Sequence, residues 1–172
     1  MIYEFNGKKP VIADSAFVAD YVAIIGDVKL GENTSVWFNS AIRGDLGPIS
    51  IGNGANIQEN SSLHLDKESK LIIENNVTIG HGCIIHGATI RKNALIGMGT
   101  TILDGAEIGA NTLVGAGSLV PPGKVIPPGV LALGNPVKVI RELTAEELQG
   151  NIDNAISYQE KAVIYKKMQS KK

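Results

Sequence analysis

The sequence predicts an all-β chain, a parallel β-helix followed by one C-terminal α-helix, and three observations carry that expectation. Large aliphatic residues recur every six positions through most of the 172 residues. A small or branched residue stands four places after most of them. Past Leu143 the six-residue spacing gives way to a helical one. A period of six fits neither the 3.6-residue helix nor a plain alternating strand. It fits short strands joined by tight corners and stacked as a solenoid.

Taken in order, the aliphatic positions are Ile12, Val18, Ile24, Leu30, Val36 and Ile42, then Ile51, Ile57 and Leu63. Ile73, Ile79 and Ile85 follow; after a one-residue deletion come Ile90, Ile96, Ile102, Ile108, Val114 and Val120. Three hexads close one triangular coil, so these eighteen positions make about six coils. The small slots, among them Ala55, Ser61, Val77, Cys83, Ala94 and Thr100, let the backbone turn inside each corner. Two hexads are stretched: Ile42 to Ile51 is nine residues and Leu63 to Ile73 is ten. Loops are therefore expected after Arg43-Gly44-Asp45 and after His64, on a rigid scaffold where functional loops tend to sit.

Beyond Val120, the stretch PPGKVIPPGVLALGNPVKVIREL reads as breakers that end the coils. Thr144-Ala145-Glu146-Glu147 reads as a capping box. Ile152, Ala155, Ile156, Gln159 and Val163 then mark the packed face of an amphipathic helix, which Gly150 weakens or kinks. The helix ends in a solvated run, Lys166 to Lys172. The division expected is residues 1–140 for the β-helix and 141–172 for the helix packed on it.

Composition narrows the function. Charged residues make up 19 % and the formal net charge is −1, which points to neither nucleic acid nor an anionic membrane as partner. No apolar run reaches the ~18 residues of a membrane span, and MIYEFNGKKP has no signal-peptide core. A single cysteine excludes an internal disulfide framework and fits a reducing compartment, so a cytoplasmic protein is expected. Cys83 itself falls in a small inward slot and reads as core.

The chemistry lies in the three histidines. His64 follows Leu63 and His86 follows Ile85, so both take the same outward position on successive coils, ~4.8 Å apart. Two imidazoles so stacked reach one Zn²⁺ at ~2.1 Å per bond, and the same donors suit Fe²⁺ or Co²⁺. His81 sits in the middle hexad, on another face. A threefold oligomer would bring a neighbour's His81 to the pair, leaving one coordination position open. Arg43 stacks one coil before His64, with Asp45 beyond it, and the two read as an interface ion pair. Asn56, Gln58 and Glu59 flank Ile57, and Trp37 points outward, to pack under the helix or at an interface.

Arg43-Gly44-Asp45, Asn56-Ile57-Gln58-Glu59-Asn60, His64, Ile79-Gly80-His81-Gly82 and Ile85-His86-Gly87 together resemble the γ-class carbonic anhydrase family. The resemblance extends to Gly134-Asn135-Pro136 and the terminal helix. It implies a left-handed β-helix and a homotrimer with interfacial metal sites, His64 and His86 from one subunit and His81 from the next. It implies that Arg43 and Asp45 serve the interface, that Gln58 and Asn56 hold the water or CO₂, that bicarbonate is the product, and that Tyr158 approaches the site. The chain departs from the family's best-studied members at Leu46, where they carry a glutamate, and in the short loop Leu65–Lys70. Weak hydration limited by proton release is therefore expected. The rival readings are a hexapeptide-repeat acyltransferase using one histidine as general base, a metal-dependent thioesterase, and a non-catalytic metal-binding protein.

Overall fold

Stacking the inward aliphatic residues closes the coils. In the computed structural model, which describes residues 1–171, the hexads form a left-handed parallel β-helix. On one face Val18, Val36, Ile57, Ile79, Ile96, Val114 and Ala132 pair in succession. The steps between them are 18, 21, 22, 17, 18 and 18 residues. Each long or short hexad is thus absorbed within a single coil, and the inward register resumes after it. Burying each of the fully enclosed valines and isoleucines among them contributes roughly 1.5–3 kcal/mol before the entropy of ordering it is counted. The solenoid has about seven turns, where eighteen positions gave six, because Ile126 and Ala132 continue the ladder past Val120. The Pro-Gly pairs there make corners, and an antiparallel pair, Val130–Leu133 with Lys138–Glu142, ends the stack.

The small slots are buried as expected, and their hydroxyls are not orphaned. Ser40 Oγ donates to Gln58 O at 2.8 Å, Ser61 Oγ to Gly80 O at 3.1 Å and Thr112 Oγ1 to Pro127 O at 2.8 Å. A polar residue can occupy a core corner because the next coil offers it a carbonyl. Cys83 fills the same slot, and burial pushes its thiol up to about 11, which leaves it inert as a nucleophile. The left-handed corner residues include Asn76, Asn93 and Asn111, whose amides form a ladder at 3.3 and 2.9 Å.

The first expected loop is a bulge of four residues, 45–48, which stand against Asp27 alone. The strand Ala41–Ile51 carries this bulge and pairs with Ala23–Leu30 on either side of it. Spacing located the extra residues but not the pairing with the preceding coil that resumes directly after them. The two strands touch so closely that a Cβ on Gly26 would lie 2.5 Å from Gly44 O. The second expectation holds for residues 66–70, while Leu65 turns inward and is fully buried.

The helix spans Ala145–Gln169 without a break at Gly150. Its packed stripe differs from the expected one. Asn151, Ala155 and Ala162 are buried, whereas Ile156 and Val163 are about half exposed. The reason is an aromatic shelf: Trp37 packs edge-on against Tyr158 at 5.5 Å and Tyr165 at 5.0 Å, which sets the rotation of the helix. The end of the helix is tied down as well, not simply solvated. Lys166 donates to Ala16 O at 3.0 Å and to Asp14 O, and Lys172 lies outside the described residues. No helix is long and apolar enough to cross a membrane among the described residues.

The capping box is present, with Glu147 accepting from Thr144 N at 2.9 Å. Arg141, then the Thr144 amide, hold the Glu147 carboxyl at about 2, against its ordinary 4.5. A depressed carboxyl stabilises the fold above its unfolded pKa and loses that contribution as pH falls through the folded one. The first helical turn should therefore loosen between pH 4.5 and about 2. Helical circular dichroism across that window should show the loss in wild type and little of it in Glu147→Gln.

Candidate metal centre

Parallel register places the two histidines side by side. Leu63 pairs with Ile85 and His64 with His86, on the adjoining strands Ser62–His64 and Ile84–His86. His64 Nδ1 and His86 Nε2 face each other at 3.1 Å. The far nitrogen of each ring meets a carboxylate. His64 Nε2 stands 3.0 Å from Asp45 Oδ1, and His86 Nδ1 stands 2.8 Å from both oxygens of Asp104. A carboxylate on the far nitrogen holds the proton there and turns the near lone pair outward. Two lone pairs then stand side by side, on nitrogens 3.1 Å apart. Nitrogens sharing a cation at ~2.1 Å in tetrahedral or octahedral geometry stand roughly 3.0–3.4 Å apart, so the pair fits a divalent ion.

Asp104 was not singled out by spacing. The signal was present, because Ile85 pairs with Ile102 one coil later and Asp104 lies two residues on. Its closeness depends on Gly87, which has φ +52° and where a Cβ would come within 2.2 Å of Asp104 Oδ1. Asp66 and Asp104 also gather around His86, with one ligand atom from each of the three within 4.8 Å of the others. Asp66 is exposed, and this is an oxygen-rich donor set within one chain.

Arg43 and Asp45 form the expected pair at 2.5 Å. Burial pushes the Asp45 carboxyl up, but hydrogen bonds from Arg43 and His64 outweigh it and hold it below its ordinary 3.8. Asp45 therefore reaches His64 as a full negative charge. Leu46 beside it is exposed.

The remaining candidates lie on a different sheet. His81 occupies the turn after the strand Thr78–Ile79, whereas Asn56 and Gln58 are held by the paired strand Asn56–Ile57. His81 Nδ1 meets Glu59 Oε2 at 2.6 Å, which leaves Nε2 as the free nitrogen of a ring 45 % exposed. The paired histidines are more enclosed, at 16 % and 24 %. Within one chain the seven candidates form two groups: His64, His86, Arg43 and Asp45 on one face, His81, Gln58 and Asn56 on the other.

Gln58 and His81 line one cleft of about 280 Å³, whose far wall is the helix at Asn154 and Tyr158. Burial, then the Glu59 charge, push the Tyr158 phenol above its ordinary 10, so its hydroxyl stays protonated. Tyr158 thus approaches the His81 group from the helix, and two further polar side chains of this wall, Thr78 and Asn154, had no sequence signal at all.

Residues 87–122 match the bacterial transferase hexapeptide (six repeats) family. Across all of its length the chain is 58 % identical to a carbonic anhydrase of Geobacillus kaustophilus, covering 94 % of that protein. It is 38 % identical to the mitochondrial gamma carbonic anhydrase 1 of Arabidopsis thaliana, over 88 % of this chain and 57 % of that one. Among solved structures, a putative acetyltransferase from Bacillus cereus superposes with a TM-score of 0.97 at 54 % identity, covering 98 % of both chains.

Proposed function

We propose that this chain, which belongs to the γ-class carbonic anhydrase family of hexapeptide-repeat proteins, hydrates CO₂ to bicarbonate at metal sites shared between the subunits of a homotrimer. The observation that carries this reading is the His64–His86 pair, with its 3.1 Å nitrogen separation and a carboxylate behind each ring. His64 and His86 of one chain, with the half-exposed His81 of the next, would hold Zn²⁺, or Fe²⁺ or Co²⁺ in its place. Such a cation, when bound, lowers the pKa of a water from ~15.7 to about 7 and so supplies a nucleophile near neutrality.

The side chains do the rest. Asp45 and Asp104 fix the tautomers of His64 and His86. Arg43 keeps Asp45 ionised and belongs to the subunit contact. Gln58 accepts a hydrogen bond from the attacking water and so aims its lone pair at CO₂, while Asn56 holds the Gln58 amide at 3.2 Å. Glu59, 2.6 Å from His81, and buffer are the acceptors for the released proton. A buried, unreactive cysteine is compatible with a cytoplasmic setting.

Leu46 offers no relay, so proton release limits the rate. Stopped-flow hydration by the metal-loaded protein should rise with imidazole concentration at constant pH. Leu46→Glu should raise the rate at low buffer, within the ~10²–10⁴-fold range of general acid–base help, and change little at high buffer. A second reading rests on the His81–Glu59 pair, which is also the base-and-carboxylate arrangement an acyltransferase would use. Acetyl transfer from coenzyme A that survives chelation, with no CO₂ hydration, would replace the proposal with that reading.

A further inference from the structure

A row of buried amides joins Gln58 to the C-terminal helix. Gln58 Nε2 donates to Asn56 Oδ1 at 3.2 Å, Asn56 Nδ2 donates to Thr78 Oγ1 at 2.9 Å, and Thr78 Oγ1 donates to Asn154 Oδ1 at 3.2 Å. Gln58, Asn56 and Thr78 are 5 %, 0 % and 2 % exposed, so water does not compete for the first two bonds, while the bond to the half-buried Asn154 lies at the edge of the cleft. No buried side-chain nitrogen or oxygen among the described residues lacks a partner.

The direction of this row has a single origin. A threonine hydroxyl has one proton. Spending it on Asn154 leaves Thr78 Oγ1 only an acceptor toward Asn56. Asn56 must then turn its Nδ2 to Thr78 and its Oδ1 to Gln58. Gln58 must answer with Nε2, and its Oε1 is the atom left for the cleft it shares with His81. If Thr78 instead donated to Asn56, both amides would reverse and Gln58 would present an N–H.

We infer that Asn154 and Thr78 are positioning residues: through this one-way hydrogen-bond row, the C-terminal helix sets Gln58 to accept from the attacking water, not to donate to an anion. The inference rests on the proposed hydration for its kinetic consequence, but the amide polarity exists without it. An acceptor at this place selects water, whereas a donor would hold bicarbonate or another anion. The row therefore favours the nucleophile over the product.

The test compares Asn154→Ala and Thr78→Val with Asn154→Asp and Thr78→Ser. A carboxylate at 154 can only accept, and serine keeps the hydroxyl, so the latter two preserve the direction. In ¹⁵N-labelled protein without metal, the side-chain NH₂ resonances of Gln58 and Asn56 should be protected from exchange in wild type and in both preserving variants. The Gln58 NH₂ should lose protection in Asn154→Ala, where the reversed row still bonds the Asn56 NH₂, and the Asn56 NH₂ should lose it in Thr78→Val, which removes its acceptor. In Co²⁺-loaded protein, nitrate should bind about tenfold more tightly to Asn154→Ala, read from the visible spectrum, and kcat should fall about tenfold with little change in KM, the worth of one reoriented hydrogen bond. Unchanged metal content and helical signal would show that the fold survives. Equal behaviour of Asn154→Asp and Asn154→Ala, in amide protection or in nitrate affinity, would overturn the inference. Absence of hydration in wild type would remove the proposed function while leaving the amide measurement decisive for the row.

Discussion

His86→Ala is expected to leave less than about a tenth of the wild-type metal after purification without chelators, and no CO₂ hydration above the buffer rate. The size of the effect follows from geometry. Removing one of two nitrogens that stand 3.1 Å apart leaves His64 with no ring partner beside it. Asp104→Ala should be milder. It leaves both rings in place but frees the His86 tautomer, and removing such an orienting carboxylate typically costs roughly 10–100-fold in metal affinity. Metal analysis by plasma mass spectrometry, with competitive chelator titration of both variants, would separate the two cases. Equal metal retention in His86→Ala and wild type would mean that these histidines are not ligands.

Truncating the inner ladder is expected to give the largest loss of stability. Ile96 is fully buried between Ile79 and Val114, with a coil above and below it. Ile96→Ala should cost about 2–5 kcal/mol, the transfer term plus the cavity that a rigid stack cannot close. Val125 carries similar bulk but points outward, next to the buried Ile126. Val125→Ala should stay within about 0.5 kcal/mol of wild type. Urea unfolding midpoints of the two variants test this directly. Similar losses at both positions would contradict the inward and outward assignment on which the whole register depends.

That register is also why so much was legible in advance. A six-residue period fixes which side chain points inward, and once Leu63 and Ile85 are both inward, His64 and His86 must stack. The one-residue deletion after Ile85 and the long hexads could be read as coil-length changes for the same reason. What the period does not encode is what each outward residue meets. That residues 45–48 form a bulge within a strand, and not a free loop, depends on the opposite strand, Ala23–Leu30, not on their own spacing. The rotation of the helix depends on Trp37, more than a hundred residues upstream of Tyr158, so Ile156 and Val163 were placed on the wrong side. The bond from Thr78 to Asn154 spans 76 residues and has no local pattern at all. Asp104 lies between these cases: coil arithmetic from His86 reaches its neighbourhood, but only the glycine at 87 allows the contact.

The claim that the metal site is shared between chains can be tested with two inactive proteins. His64→Ala and His81→Ala are each expected to purify without metal. Unfolded together, refolded in equal amounts with Zn²⁺ and gel-filtered, they should recover about a quarter of the wild-type zinc, because each site needs one particular pair of chains. Hydration should return in the same proportion. A mixture that stays metal-free while wild type refolds and binds would place His64 and His81 in one site within one chain, and full metal in either variant alone would favour the Asp66–His86–Asp104 group; either result would contradict the account.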